Sequence, residues 1–279
     1  MRRRTYDIDR REVTLLTAHV LRKPYERILA HPDQHLSARQ CRMLDRLIQA
    51  RTSGIPIAYL TGTKWFYGRP FAVGPGVLIP RPETELLVDI VLAMLSSSYS
   101  GTITDVGTGS GCIALSLALG LPRAHLFATE RSPRALRYAK RNAKTLGCRR
   151  RVSFLSGDLL APLHRRGITP DIVVANLPYA TPQEYCAVRH EPRSAIVGGS
   201  DGSSVFRRFF RQLKRYQLTV PCILEIDPRR RSMIASLAAR AMPNAIITTR
   251  KDLAGLFRAI IIQPKPTKAC PNRTSGPTR

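Results

Sequence analysis

The stretch DIVVANLPYATPQEY, residues 171–185, runs five mostly apolar residues into Asn176-Leu177-Pro178-Tyr179. An asparagine side-chain oxygen and a backbone carbonyl, here that of Leu177, can together accept both hydrogens of one planar NH2 group. Tyr179 offers a flat apolar face for stacking on a π-system, while Pro178 lacks an N–H and stiffens the turn. The lone pair of an amide or nucleobase amine is delocalised and weakly nucleophilic. Held in line with an electrophile, it reacts through proximity and preorganised electrostatics, and no strong base is needed because the proton can leave afterwards. Adenine, cytosine and the glutamine side chain all present such a group, so the clamp alone leaves its substrate open.

The electrophile has its own signature. The apolar run TITDV, carrying Asp105, leads into Gly107-Thr108-Gly109-Ser110-Gly111 and then a helical pattern. Glycines let the chain turn sharply and bring bare backbone close to a ligand at a helix N-terminus. Glu130 ends the next strand, about 20 residues on, where an acid grips both hydroxyls of an adenosine ribose. Asp158, in SGDLL, ends the third strand, placed to face an adenine, with Leu159 beside it. This loop is shorter than the G-x-G-x-x-G that seats a pyrophosphate. S-adenosylmethionine (SAM) carries no phosphate and suits a tight loop ringed by acids, so SAM is the expected cofactor rather than NAD. There is no Walker-type GKS, and no metal site is expected.

These residues need strands to end on and helices to hold the strands apart. From residue 83 onward the pattern alternates: helix ETELLVDIVLAML, strand TITDV, helix 110–119, strand HLFAT, helix 133–146, strands RVSFL and DIVVA, helix 202–216, strand VPCILEI, helix 229–241, then strands NAIITT and FRAIIIQ. Such alternation predicts an α/β domain with a parallel, doubly wound sheet. Only RKDLAGL separates the last two strands, so the final one is expected to return antiparallel. Residues 8–53 show helical periodicity without strand runs, with Ser37 as an N-cap and Gly54 and Pro56 ending the last helix. The division expected is therefore a helical domain over 1–58, a hairpin linker over 59–80, the α/β domain over 81–263 and a disordered basic tail over 264–279. Trp65, Phe66, Tyr67 and Phe71 concentrate four of the eighteen aromatics in the hairpin.

Composition bounds the rest. At 279 residues, 43% hydrophobic and 23% charged, the chain has ample material for a core. No run approaches the roughly 20 apolar residues of a membrane span, and the basic N-terminus lacks a signal peptide's apolar stretch, so a soluble cytoplasmic protein is expected. The six cysteines are scattered with no C-x-x-C pair and read as reduced, packing thiols. The net charge of +26 makes the surface an attractor for polyanions such as RNA or the ribosome. It is spread along the chain, so a compositional bias explains it as well as a specific nucleic-acid site does.

The segment PIAYLTGTKWFYGRPFAVGPGVLIPRPETELLV resembles the junction of the HemK/PrmC family, the release-factor glutamine methyltransferases. The resemblance continues through DVGTGSGCIALSLA, SGDLL, DIVVANLPYA and VRHEPRSAIVGGSDG, covering roughly residues 12–262. It implies a Rossmann-like, SAM-dependent (class I) methyltransferase with a small N-terminal helical domain, joined by a β-hairpin, that grips a peptide-chain release factor. The reaction implied is methylation of the glutamine side-chain nitrogen in the factor's Gly-Gly-Gln motif. Carried over, Gly107 to Gly111, Glu130, Asp158, Leu159 and Asn176 would contact SAM. Asn176, Leu177, Pro178 and Tyr179 would bind the glutamine amide, with Phe66 or Phe71 closing the pocket, and Glu83 and Glu191 would be structural. The chain departs from the family in having Leu177 where a first proline is usual. It also reads EIDPRRRSMI, with Asp227 and Arg231, in place of a Glu-x-Gly…Gln pattern. Asn-Leu-Pro-Tyr is typical of rRNA adenine dimethyltransferases, so a nucleic-acid adenine methyltransferase is the alternative reading. A basic RNA-binding protein on a methyltransferase fold is a third.

Overall fold

The computed structural model describes residues 8–265; residues 266–279, most of the expected basic tail, lie outside the described residues. The chain opens with four helices: α1 (Arg10–Leu21), α2 (Tyr25–Ala30), α3 (Ala38–Thr52) and α4 (Ile57–Thr61). Ser37 caps α3 in a reciprocal box with Gln40, which satisfies two otherwise orphaned backbone donors. Arg51 of α3 grips Glu12 of α1 with two hydrogen bonds of 2.8 Å, and Leu16, Val20, Ile28 and Ile48 are buried. Helix α4 departs from expectation, because Tyr59 to Thr61 are helical where extended hairpin was predicted. Five residues barely exceed one turn and leave no periodicity to read. Gly62, at φ 72°, ends that turn in the left-handed conformation.

The hairpin is β1 (Thr63–Phe66) and β2 (Arg69–Ala72), joined by Tyr67 at φ 49° and Gly68 at φ 69°. Two positive φ values in a two-residue turn match the right-handed twist of the strands. The turn docks on α5 (Glu85–Met94), where the Tyr67 N–H donates to Glu85 and its hydroxyl to Asp89, both at 2.8 Å.

Beyond α5 lie β3 (Thr102–Val106), α6 (Cys112–Gly120), β4 (His125–Glu130), α7 (Pro133–Thr145), β5 (Val152–Ser156) and α8 (Ala161–His164). There follow β6 (Ile172–Ala175), α9 (Pro182–Tyr185), α10 (Arg193–Ile196), α11 (Ser204–Arg215), β7 (Cys222–Glu225), α12 (Arg231–Ala241), β8 (Ala245–Lys251) and β9 (Phe257–Pro264). The strands form one sheet in the order β5-β4-β3-β6-β7-β9-β8. Strands β3 to β7 run parallel, and β9 inserts antiparallel between β7 and β8. Helices cover both faces, and strand side chains alternate between them: Ile172 and Val174 of β6 pack with α5 and α6, Val173 and Ala175 with α11 and α12. Helix α11 buries Phe206, Phe209, Phe210 and Leu213, spaced i, i+3, i+4, i+7 on one stripe. Each such side chain stabilises the sheet by roughly 1.5–3 kcal/mol.

Register places the site. Val106 pairs with Thr129 on one side and Ala175 on the other, Glu130 pairs with Ser156, and Ala175 pairs with Leu224. One residue further on, the carboxyl edge of the sheet therefore reads Ser156, Glu130, Gly107, Asn176 and Glu225 in a row. The order reverses between β3 and β6, the switch point where open α/β sheets bind ligands.

Candidate active site

A cleft, open at its mouth, lies over that row. Gly107, Thr108, Gly109, Ser110, Glu130, Asp158, Leu159, Asn176, Leu177 and Pro178 all line it. A smaller cavity of about 390 Å³ adjoins and shares Asn176, Leu177 and Pro178 with it, and Tyr179 lines this second space. The Asn-Leu-Pro segment, with Leu78, Arg81 and Ala195, is thus common to both.

Gly107 stands at φ 76°, and a Cβ there would meet nothing within 4 Å, so the bare backbone faces open cleft. Gly111 instead serves packing: a Cβ would crowd Leu115 and Ala139 at 3.0 and 3.3 Å, and the residue does not line the cleft. Beneath the loop, Asp105 is fully buried and accepts hydrogen bonds from the Thr108 hydroxyl (2.6 Å) and the Ala114 N–H (3.1 Å). Burial pushes its carboxyl up to about 7. Glu130 holds the loop and the start of α7 together, with one oxygen accepting from Gly109 N–H (3.1 Å) and the other from Ser132 N–H (2.8 Å). Each carboxylate oxygen offers about two acceptor sites, which leaves capacity for two further donors such as ribose hydroxyls. Asp158 reaches the cleft, but its carboxylate is also engaged by Arg208 (3.0 Å) and Gln212 (3.3 Å) of α11. Leu159 sits at φ 49°, a strained conformation for a bulky side chain and one that collects at binding sites. Bare glycine backbone, an acid with spare acceptor sites and an apolar rim fit an adenosyl group without phosphates.

Asn176 projects from the end of β6. Its Nδ2 donates to the Thr84 hydroxyl at 3.1 Å, and among the described residues no donor reaches its Oδ1 or the Leu177 carbonyl. The Leu177 side chain is buried in the core on the α11 side, so this residue offers the site only backbone. Tyr179 is half-buried. Its hydroxyl donates to Glu225 at 3.2 Å, and burial, with the neighbouring Glu225, raises its pKa.

Phe66 and Phe71 require a correction. They pack edge to face at 6.0 Å, are 1% and 0% exposed, and belong to the core beneath α5 and α6. Neither lines the cleft or the smaller cavity, because the hairpin turns these rings inward to anchor itself.

Further groups position the site; Asn142 carried no readable signal, whereas Glu191 was expected to be structural. Asn142 of α7 exchanges two hydrogen bonds with the Ala72 backbone and donates to the Ser110 carbonyl at 2.9 Å, tying hairpin to glycine loop. Glu191 accepts from the Ile79 N–H at 2.9 Å and pairs with Arg81, fixing the loop that lines both cavities. Gly198 and Gly202 lie against the clamp, where a Cβ would collide with the carbonyl oxygens of Pro178 and Tyr179 respectively. The two departures also have partners: Asp227 caps the 228–230 turn and pairs with Arg229 and Arg230, while Arg231 stacks on Phe257 at 4.2 Å. Among the described residues no cluster could hold a metal ion, and no helix is long and apolar enough to cross a membrane.

The sheet order, with a glycine loop, an acid and Asn-Leu-Pro-Tyr at the switch point, is that of a SAM-dependent class I methyltransferase. The hMettl16 catalytic domain in complex with MAT2A 3'UTR hairpin 1 has this fold, at a TM-score of 0.52, 16% identity and 81% coverage of both chains. Residues 1–62 match the PrmC N-terminal domain family and residues 83–191 the methyltransferase small domain family. Proteins named release factor glutamine methyltransferase are similar over most of the chain. That of Bacillus anthracis is 34% identical over 258 residues, covering 89% of this chain and 90% of its own. That of Coxiella burnetii is 36% identical over 255 residues (90% and 91%), and that of Moorella thermoacetica 46% identical over 200 residues (70% and 69%). The chain belongs to the release factor glutamine methyltransferase family.

Proposed function

We propose that this protein transfers a methyl group from SAM to the side-chain amide nitrogen of the glutamine in the Gly-Gly-Gln motif of a peptide-chain release factor, in the cytoplasm. The observation that carries this reading is the shared lining: Asn176 to Pro178 border both the cleft over the glycine loop and the adjoining cavity. Bound in the cleft, SAM supplies an electrophilic methyl group. Gly107 to Ser110 present backbone to it, Glu130 accepts its ribose hydroxyls, and Asp158 and Leu159 border its adenine. From the smaller cavity, Asn176 Oδ1 and the Leu177 carbonyl accept both N–H groups of the glutamine amide. Among the described residues neither acceptor is engaged, which leaves both for this role. Tyr179 and Pro178 flank the amide plane. Holding both hydrogens concentrates electron density on nitrogen and aims it at the cleft, so orientation and electrostatics supply the acceleration.

The helical segment supports the partner. A groove between α1, α3 and the hairpin is lined by Leu15, Met43 and the exposed Trp65, rimmed by Arg22, Lys23 and Arg39. An exposed apolar strip with a basic rim suits a protein surface carrying acidic groups. The adenine alternative would use the same clamp. The relatives, named release factor glutamine methyltransferase, favour the protein substrate.

The test offers labelled SAM with purified release factor and ribosomal RNA together, at near-physiological salt because a +26 chain binds RNA non-specifically at low ionic strength. Label mapped to the Gly-Gly-Gln glutamine is expected. Label on RNA, with none on the factor, overturns the proposal.

A further inference from the structure

Asn176 can accept hydrogen bonds from a substrate amine only if its carboxamide is turned one way. The two ends of a carboxamide are nearly the same size, so shape alone does not choose between them. Hydrogen-bond polarity does. Asn176 Nδ2 donates to Thr84 Oγ1 at 3.1 Å, and Thr84 Oγ1 donates to Glu225 Oε2 at 2.5 Å. The Tyr179 hydroxyl donates to the other oxygen, Oε1, at 3.2 Å. A hydroxyl carries one proton, and an ionised carboxylate accepts only. Thr84 therefore spends its proton on Glu225 and turns a lone pair to Asn176, which must answer with its NH2. Its Oδ1 then faces the cleft.

We propose that Glu225 is the positioning residue of the amine clamp: through Thr84 it orients the Asn176 carboxamide, and directly it fixes the Tyr179 ring. This rests on the clamp reading of Asn176 given above. Glu225 is 1% exposed and, among the described residues, forms no ion pair, so burying its charge is costly. A purely structural position would be better served by glutamine. Glutamine, however, can turn an NH2 toward Thr84. The Thr84 proton would then be free to face Asn176 and draw the carboxamide round, leaving NH2 where an acceptor is needed. Only an acceptor-only group enforces the productive polarity. The sheet supplies it because Ala175 pairs with Leu224, setting Glu225 beside Asn176.

The experiment compares Glu225→Gln, Thr84→Ala and Thr84→Ser in steady-state methylation of release factor, with SAM affinity by calorimetry. Glu225→Gln should lower kcat roughly 10- to 100-fold and Thr84→Ala roughly five- to twentyfold, the scales of a charge-assisted and a neutral hydrogen bond. SAM affinity and KM for the factor should stay within about twofold of the wild type. Thr84→Ser, which keeps the hydroxyl, should restore activity to within about threefold. Full activity in Glu225→Gln, or Thr84→Ser as slow as Thr84→Ala, overturns the inference. A second readout needs no substrate: in asparagine-labelled protein the Asn176 side-chain protons should be protected from exchange and lose that protection in Thr84→Ala. Equal exchange in both refutes the orienting chain. If wild type fails to label the factor, the functional reading falls, while the exchange measurement still decides this one.

Discussion

Replacing Glu225 with glutamine should change how stability depends on pH, by an amount the structure supplies. Burial, the largest influence, pushes the carboxyl from the ordinary 4.5 up to about 7. Hydrogen bonds from Thr84 and Tyr179 and the charge of Arg258 oppose that rise, while Glu83 adds to it. Because the folded value lies above the unfolded one, the unfolded chain releases this proton first, and stability falls as pH rises. The contribution is fully present below about 4.5 and is lost by about 7. At about 1.36 kcal/mol per pH unit, that interval is worth about 3 kcal/mol. Glutamine has no proton to lose, so its stability relative to wild type should improve by about 3 kcal/mol between mildly acidic and mildly alkaline pH. Urea unfolding of both proteins across that range measures the difference, and the other titrating groups cancel. A flat difference, or one of opposite slope, would refute the reasoning. Opposite slope would mean that the hydroxyl donors and Arg258 outweigh burial. The ionised form that orients Asn176 is thus the less stable one, a cost placed where function needs it.

Three further outcomes are expected. Asn176→Ala should lower methyl transfer roughly 100- to 1,000-fold, as loss of a preorganised polar contact does, while calorimetry finds SAM binding largely intact; an active variant would sink the clamp. Gly107→Ala puts a methyl group into the cleft at a positive φ, and should weaken SAM binding roughly tenfold while lowering stability by about 1–2 kcal/mol, read as a fall in Tm. Phe71→Ala should destabilise the fold by about 3–5 kcal/mol through the cavity it leaves, with kcat of the folded fraction preserved; unchanged stability with lost substrate binding would restore the ring to the pocket.

Local signals carried much of this protein. The strands and long helices of the α/β part were legible because their apolar residues repeat at the period of their own geometry, whereas α8, α9 and α10, four residues each, leave no period to read. The glycine loop, Glu130, Asp158 and Asn-Leu-Pro-Tyr were legible because each sits at a strand end that the same pattern marks. Strand order and register were not, because they depend on which strands meet, and they alone put Gly107, Glu130, Asn176 and Glu225 in one row. Thr84 lies 92 residues from Asn176 and 141 from Glu225, and Asn142 lies 70 from Ala72; no window of sequence joins such partners. Phe66 and Phe71 were misplaced for a related reason. An aromatic hairpin reads alike whether its rings line a pocket or a core, and only its docking on α5 decides. The amino-acid sequence by itself determined what chemistry could end each strand. The tertiary structure decided which ends face one another, because hydrogen-bond polarity and burial exist only once the sheet has closed.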